Sequence, residues 1–224
     1  LSQLDLDFLL LPGDLTQHGE WVNHQWLIDR LKQLPYPAYV VPGNHDVNNT
    51  ESVKYEGNRT ISEPAANATD FESIYQAFGY GQAAARDPFS LSYVAEPVPG
   101  LLLFALDSNR YRENRAGHHP IVGGAFSDET LSWIHEQLET AKKTGKAVIV
   151  MQHHGIMEHY PGNEKFYDQY LVEDHEEFAT LLGQFGVQLV FTGHFHAQDI
   201  TAMEIESADG SSVHRIFDIE TGSL

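Results

Sequence analysis

The sequence predicts a layered α/β sandwich, with mixed β-sheets at the core and helices outside. Short apolar runs recur, among them Phe8-Leu9-Leu10-Leu11, Ala38 to Val41, Ala147 to Met151 and Val187 to Phe191, the last interrupted only by Gln188. They lack alternation, as strands buried on both faces do. Between them lie longer segments with apolar residues at three- and four-residue spacing, the pattern of amphipathic helices. Most of the runs stop at Gly or Pro-Gly, and a polar motif follows each stop.

In chain order, Phe8 to Leu11 is the first strand, ended by Pro12-Gly13. Val22, Trp26, Leu27, Leu31 and Leu34 then mark a helix over about 20–34, and Pro35 and Pro37 close it. Ala38 to Val41 completes a parallel strand–helix–strand unit. Residues 47–67 are polar and read as an irregular surface excursion. Thr69-Asp70-Phe71-Glu72 has capping-box form and starts a short helix through about Phe78. Ser90 to Ala95 and Leu101 to Leu106 read as strands, and 108–124 as a loop. Ser127, followed by Asp128 and Glu129, starts a helix with Leu131, Ile134, Leu138 and Ala141 on one face, and Gly145 ends it. After the strand at Ala147 to Met151, Phe178, Leu181, Leu182 and Phe185 mark a further helix closed by Gly186. Val187 to Phe191 is a strand. Ile200 to Glu206 and Val213 to Ile219 form an antiparallel pair turning at Ala208-Asp209-Gly210. No repeat or linker interrupts the sequence, so residues 1–224 read as a single domain.

Composition narrows the function. Lys and Arg number 13 against 32 Asp and Glu, a net charge of −19. That excludes a basic nucleic-acid groove, which needs clustered cations. It leaves room for a small phosphorylated substrate if bound metal ions dominate the local field. The absence of Cys removes disulfides, thiolate zinc sites and thiol nucleophiles. No apolar stretch is long enough to span a membrane. Leu1 to Leu11 lacks the basic start of a signal peptide.

The chemistry sits in four motifs at strand ends: Gly13-Asp14-Leu15-Thr16, Gly43-Asn44-His45-Asp46, His153-His154 and Gly193-His194-Phe195-His196. They supply a carboxylate, an amide and several imidazoles, the oxygen and nitrogen ligands of a site for two divalent transition metals. Asp14 has two oxygens and can bridge two cations. His194 and His196, one residue apart, share a face if the backbone there is extended. In open α/β sheets, ligand sites collect at such strand ends.

In these residues the chain resembles the calcineurin-like metallophosphoesterase superfamily. The family pattern runs D-x-H, G-D, G-N-H-[DE], a strand-end His and G-H-x-H, and this sequence matches the last four in order. The stretch Gly193 to Ile200, G-H-F-H-A-Q-D-I, is closest to the bacterial branch containing enzymes resembling cyclic-nucleotide phosphodiesterases. The G-D-Y-V-D-R-G form of protein Ser/Thr phosphatases is absent. The resemblance implies that Asp14 bridges two divalent or trivalent metals (Mn, Fe or Zn), that Asn44, His153 and His194 complete one, and that His196 binds the other. It implies that His45 faces the phosphoryl group and that Asp46 orients the His45 ring. His154 and His159 are candidate substrate contacts. The implied activity is phosphoester hydrolysis by a hydroxide held between the metals, on small diesters such as cyclic nucleotides. The alternatives are a phosphomonoesterase, or a non-catalytic domain of the same fold that binds a phosphorylated ligand or a partner.

No Asp-x-His occurs in the sequence. By the resemblance it belongs on a strand before Leu1, so the chain is expected to be part of a longer one, truncated at both ends. Branch and composition lean toward the bacterial cell envelope, and oligomeric state is not encoded legibly. Among the other histidines, His18 and His24 are expected at the surface or as caps, His118-His119 in a loop that could cover the site, and His135, His175 and His214 at the surface. Trp21 and Trp26 are expected in the core.

Overall fold

A computed structural model describes residues 4–206, 210 and 212–222. Its centre is a seven-stranded mixed sheet in the order β10-β11-β9-β8-β7-β6-β5. The strands are β5 (Ala85–Arg86), β6 (Tyr93–Val98), β7 (Leu101–Leu106), β8 (Ala147–Gln152), β9 (Leu189–Thr192), β10 (Asp199–Glu206) and β11 (Val213–Glu220). The four inner strands β7, β8, β9 and β11 run parallel, and the outer pairs are antiparallel. That explains why the runs in β7, β8 and β9 are continuously apolar while β10 alternates. Both strands of the predicted β10–β11 pair are present, but Ala208 and Asp209 of its expected turn lie outside the described residues.

A second layer holds β1 (Leu9–Leu11) and β2 (Ala38–Val40), paired parallel with Leu10 opposite Tyr39. Helices α1 (Trp21–Leu31) and α2 (Ala68–Ile74) belong to this side. Their apolar faces join Tyr93, Ala95, Leu103, Ala105 and Met151 of the central sheet in one core cluster. The opposite face carries Val94, Leu102, Phe104, Leu106 and Val150, packed under α3 (Asp128–Thr144) and α5 (His175–Gln184). Alternate residues of β6 and β7 therefore feed two cores, the period-two consequence of a strand covered on both sides. The layered α/β sandwich expected from the sequence is the fold observed.

Local signals were read with uneven success. Ser127 caps α3 by accepting from the Thr130 N–H at 3.2 Å, and Gly145 closes the helix in the left-handed region, both as expected. Helix α2 is capped two residues earlier than expected. Asn67 and Asp70 form the reciprocal capping box, and Glu72 instead pairs with Arg86. The excursion over 47–67 contains a hairpin, β3 (Val53–Glu56) and β4 (Arg59–Ser62), turning at Gly57. A short helix α4 (Asn163–Tyr167) and a following single turn at Asp168–Tyr170 also escaped the sequence reading. Trp26 is 61% exposed under the Arg30 guanidinium, not in the core. His24 and His175 are buried, not at the surface.

Candidate metal centre

The ends of β1, β2, β8 and β9 meet where the two sheets approach. The His153 side chain crosses from the large sheet to the small one, and its ring bonds the Pro12 carbonyl after β1 at 2.8 Å. The Gly193 N–H donates to the His153 carbonyl at 3.0 Å, tying the ends of β8 and β9. Gly13 and Gly43 allow this convergence. A Cβ on Gly13 would strike the His153 ring, and one on Gly43 would strike Asp14.

Four ligand-type residues converge here. His153 Nε2 lies 3.1 Å from Asn44 Oδ1, 3.0 Å from His194 Nδ1 and 3.3 Å from Asp14 Oδ1. Asp14, His153 and His194 form the one cluster of metal-ligating geometry among the described residues. The ring protons are assigned by the partners. Carbonyls cannot donate, so His153 Nδ1–H donates to Pro12 and His194 Nε2–H donates to the Gln169 carbonyl at 3.1 Å. Unless a second proton intervenes, each ring then turns a lone pair toward the other. Two facing lone pairs, a carboxylate and an amide oxygen fit a divalent cation of the Mn, Fe or Zn kind.

The electrostatics of Asp14 and His194 agree with that fit. Burial acts to lower His153, but Asp14 and the Pro12 carbonyl outweigh it and hold the ring above an ordinary histidine, so it must release a proton when a cation binds. Burial acts to raise the Asp14 carboxyl, but His153, with His45 and His194 nearby, holds it well below the usual carboxylate range. Burial and the neighbouring His153 and His154 keep His194 far below an ordinary histidine. A neutral imidazole and an ionised carboxylate are the protonation states that metal binding requires.

The backbone is strained at the same places. Asp14 (φ 52°), His194 (φ 71°) and His196 (φ 58°) are three of the five described non-glycine residues with positive φ. Left-handed conformations of such residues persist where surrounding structure enforces them. The expectation of an extended Gly193–His196 segment is corrected accordingly. His194 and His196 reach Asp14 from a left-handed turn, His196 Nε2 lying 3.5 Å from Asp14 Oδ2. The His196 side chain is 55% exposed.

Asp46 does not orient His45, as the resemblance had implied. It is fully buried and accepts from the N–H groups of Leu15, Thr16 and Gly43 and from the Thr16 hydroxyl, at 2.8–3.0 Å. It therefore welds the Gly13–Thr16 loop to the Gly43–Asp46 loop. The His45 ring is held instead by Nδ1–H donation to the Gln17 carbonyl at 2.6 Å, which leaves its Nε2 uncommitted.

The two histidines expected to contact substrate both have partners within the protein. His154 is buried, donates from Nε2 to the Val122 carbonyl and accepts from the Ser108 hydroxyl, each at 2.8 Å. Burial and His153 push it down to about 3, so it stays neutral and packs behind His153 and His194. His159 lies against Asp199 (3.0 Å), Asp218 (3.4 Å) and Glu220 (3.7 Å). His119 is exposed and pairs with Glu51. Thr16, Ser108 and the Pro12, Gln17 and Gln169 carbonyls went unread in the sequence, since a carbonyl leaves no compositional trace. Asp218 did leave one, as an acid inside the apolar run Ile216-Phe217-Asp218-Ile219.

A family model described as calcineurin-like phosphoesterase matches residues 1–198. The chain belongs to that family. Among curated relatives, a probable glycerophosphodiester phosphodiesterase of Arcobacter nitrofigilis is 29% identical over 87% of this chain and 58% of its own. A probable cyclic nucleotide phosphodiesterase of Coxiella burnetii is 24% identical over 85% of this chain and 60% of its own. The chain thus spans about three-fifths of the length of these relatives. Among solved structures, a dimetal phosphatase from Danio rerio superposes with a TM-score of 0.58 at 14% identity, covering 97% of this chain and 73% of that one. A putative 5'-nucleotidase from Staphylococcus aureus gives 0.54 at 15% identity, covering 96% and 39%. Both support the fold of this family member. No helix among its described residues is long and apolar enough to cross a membrane.

Proposed function

We propose that this calcineurin-like phosphoesterase is a metal-dependent phosphodiesterase for small molecules, with cyclic nucleotides and glycerophosphodiesters as the leading substrate classes. The observation that carries the reading is the set of facing, carbonyl-backed imidazoles of His153 and His194 beside Asp14 and Asn44. The names of the relatives favour a diester over a monoester. Residues 1–224 act as one domain in this reading.

Asp14, Asn44, His153 and His194 would hold one metal ion. Asp14, together with His196, would contribute to another. When bound, such ions supply Lewis acidity and a nucleophile at neutral pH. The protein supplies the rest. Asp14 stays ionised and fixed by a left-handed turn. His45, its Nδ1–H anchored on Gln17, presents Nε2 to the phosphoryl group; as the imidazolium it would give its Nε2 proton to the departing ester oxygen and be left as the neutral ring. Asp46 keeps the two loops that carry Asp14 and His45 in register.

The test compares bis-(p-nitrophenyl) phosphate with p-nitrophenyl phosphate in the presence of Mn²⁺. Faster turnover of the diester is expected, and faster turnover of the monoester would overturn the diesterase reading. The thin ligand set around His196 favours one other reading, a non-catalytic domain that binds phosphorylated ligands. Binding without turnover of either ester would establish it.

A further inference from the structure

Beside the metal centre lies a group of aromatic residues that belongs to neither core cluster. Tyr170 packs on His194 with ring centroids 4.7 Å apart, and Phe195 stands edge-on to Tyr170 at 4.9 Å. Tyr160 tilts over Phe195 at 5.4 Å, and Tyr167 lies within 6.4 Å of both Tyr160 and Tyr170. The group begins between two ligand positions, since Phe195 is the residue between His194 and His196.

A long loop often carries a small apolar cluster simply to pin itself down. Two features set this group apart. A pinning cluster hides its rings, whereas Tyr167 is 48% exposed and neighbouring Phe166 is 67% exposed. The Tyr160 hydroxyl is also buried without a hydrogen-bond partner among the described residues, an arrangement that costs stability unless something answers it. Exposed π-faces held at low entropic cost by a folded loop suit stacking of a flat ring.

We propose that Tyr160, Tyr167, Tyr170 and Phe195 form an aromatic shelf on the wall of the metal centre that takes a planar ring, a nucleobase or an aryl group, carried on one ester arm of the substrate. The proposal rests on the diesterase reading for its occupant. The phosphoryl group would lie against Asp14, His45 and His194, and the ring would lie across Tyr167 and Tyr160.

Calorimetric titration of the metal-loaded protein tests it with four ligands: adenosine 5'-monophosphate, ribose 5-phosphate, phenyl phosphate and methyl phosphate. Each ring-bearing ligand is expected to bind about tenfold tighter than its ringless counterpart, equivalent to ~1.4 kcal/mol. Tyr167→Ala should cut that ratio at least about fivefold while Tyr167→Phe preserves it, and Tyr160→Ala provides a second, independent loss. Preference for the nucleotide alone assigns the shelf to nucleobases, and preference in both pairs assigns it to planar rings in general. Ratios within about twofold of unity, or a Tyr167→Ala variant that weakens all four ligands equally, overturn the shelf. Failure of the diesterase reading shows separately, as absence of metal-dependent turnover of both bis-(p-nitrophenyl) phosphate and ringless glycerophosphoethanolamine.

Discussion

On the His194 side of the centre both imidazoles are held from behind, whereas on the His196 side the imidazole stands largely in solvent. Pro12 and Gln169 fix the ring protons of His153 and His194, and His154 packs behind both rings. His196 reaches Asp14 from an exposed turn. A preorganised set loses little entropy when a cation arrives, and a mobile ligand loses more. The contrast teaches that the two proposed metal positions should differ in affinity, the one lined by Asn44, His153 and His194 filling first.

Substitution of His194 or Asn44 by Ala should have the largest effect. Turnover should fall by at least about a thousandfold, ~4 kcal/mol in the barrier. Metal analysis of the purified variants should show that this position has emptied. His196→Ala should lower turnover yet retain the tightly bound ion. If His196→Ala strips all metal, the asymmetry between the two sides is wrong.

His45→Ala should come next, with turnover down about a hundredfold or more and metal content close to wild type, as befits a proton donor that is not a ligand. A metal-free His45→Ala protein would mean that the imidazole binds metal and that its role here is misassigned.

Asp46→Asn separates scaffold from chemistry. The amide leaves one oxygen for donors that now share two, and turns an NH₂ toward N–H groups. Unfolding free energy should drop by about 2–4 kcal/mol, read by denaturant titration. A stable variant with slow turnover would restore Asp46 to the direct role that the resemblance implied.

How much of this was legible follows from what kind of group does each task. The convergence of strand-tip residues such as Asp14, Asn44 and His153 was readable because a buried apolar run that stops abruptly leaves few reasons for a polar side chain. The helix Asp128–Thr144 was readable because its cap, periodicity and closing glycine agree. Asp46 was misread because adjacency to His45 in sequence says nothing about which N–H groups the fold brings to its carboxylate. His154 was misread because a second histidine beside a ligand looks like chemistry, while burial makes it packing. The hairpin at Val53–Ser62 was missed because its exposed strands bury no alternating face.

The smallest predicted effect concerns what steadies the His196 side. Glu220 pairs in register with Thr192, at the strand end that leads into the turn carrying both histidines. Asp218 accepts from the Ile156 N–H and from the Thr192 hydroxyl. His159 lies among Asp199, Asp218 and Glu220 and binds these pieces together. Burial alone would lower the His159 imidazole, but those three carboxylates outweigh it and push it up to about 9. A raised histidine adds stability that is complete below its unfolded value, about 6.5, and is lost as the pH climbs through the folded one. Glu220, pushed up to about 7 by burial with Asp218 and Asp199 adding to it, acts in the same direction at lower pH, because the folded state keeps a proton that the unfolded state releases. The thermal midpoint should therefore decline between about pH 6.5 and 9, and His159→Gln should flatten the decline in that window. Equal slopes in the two proteins would place the titrating group elsewhere.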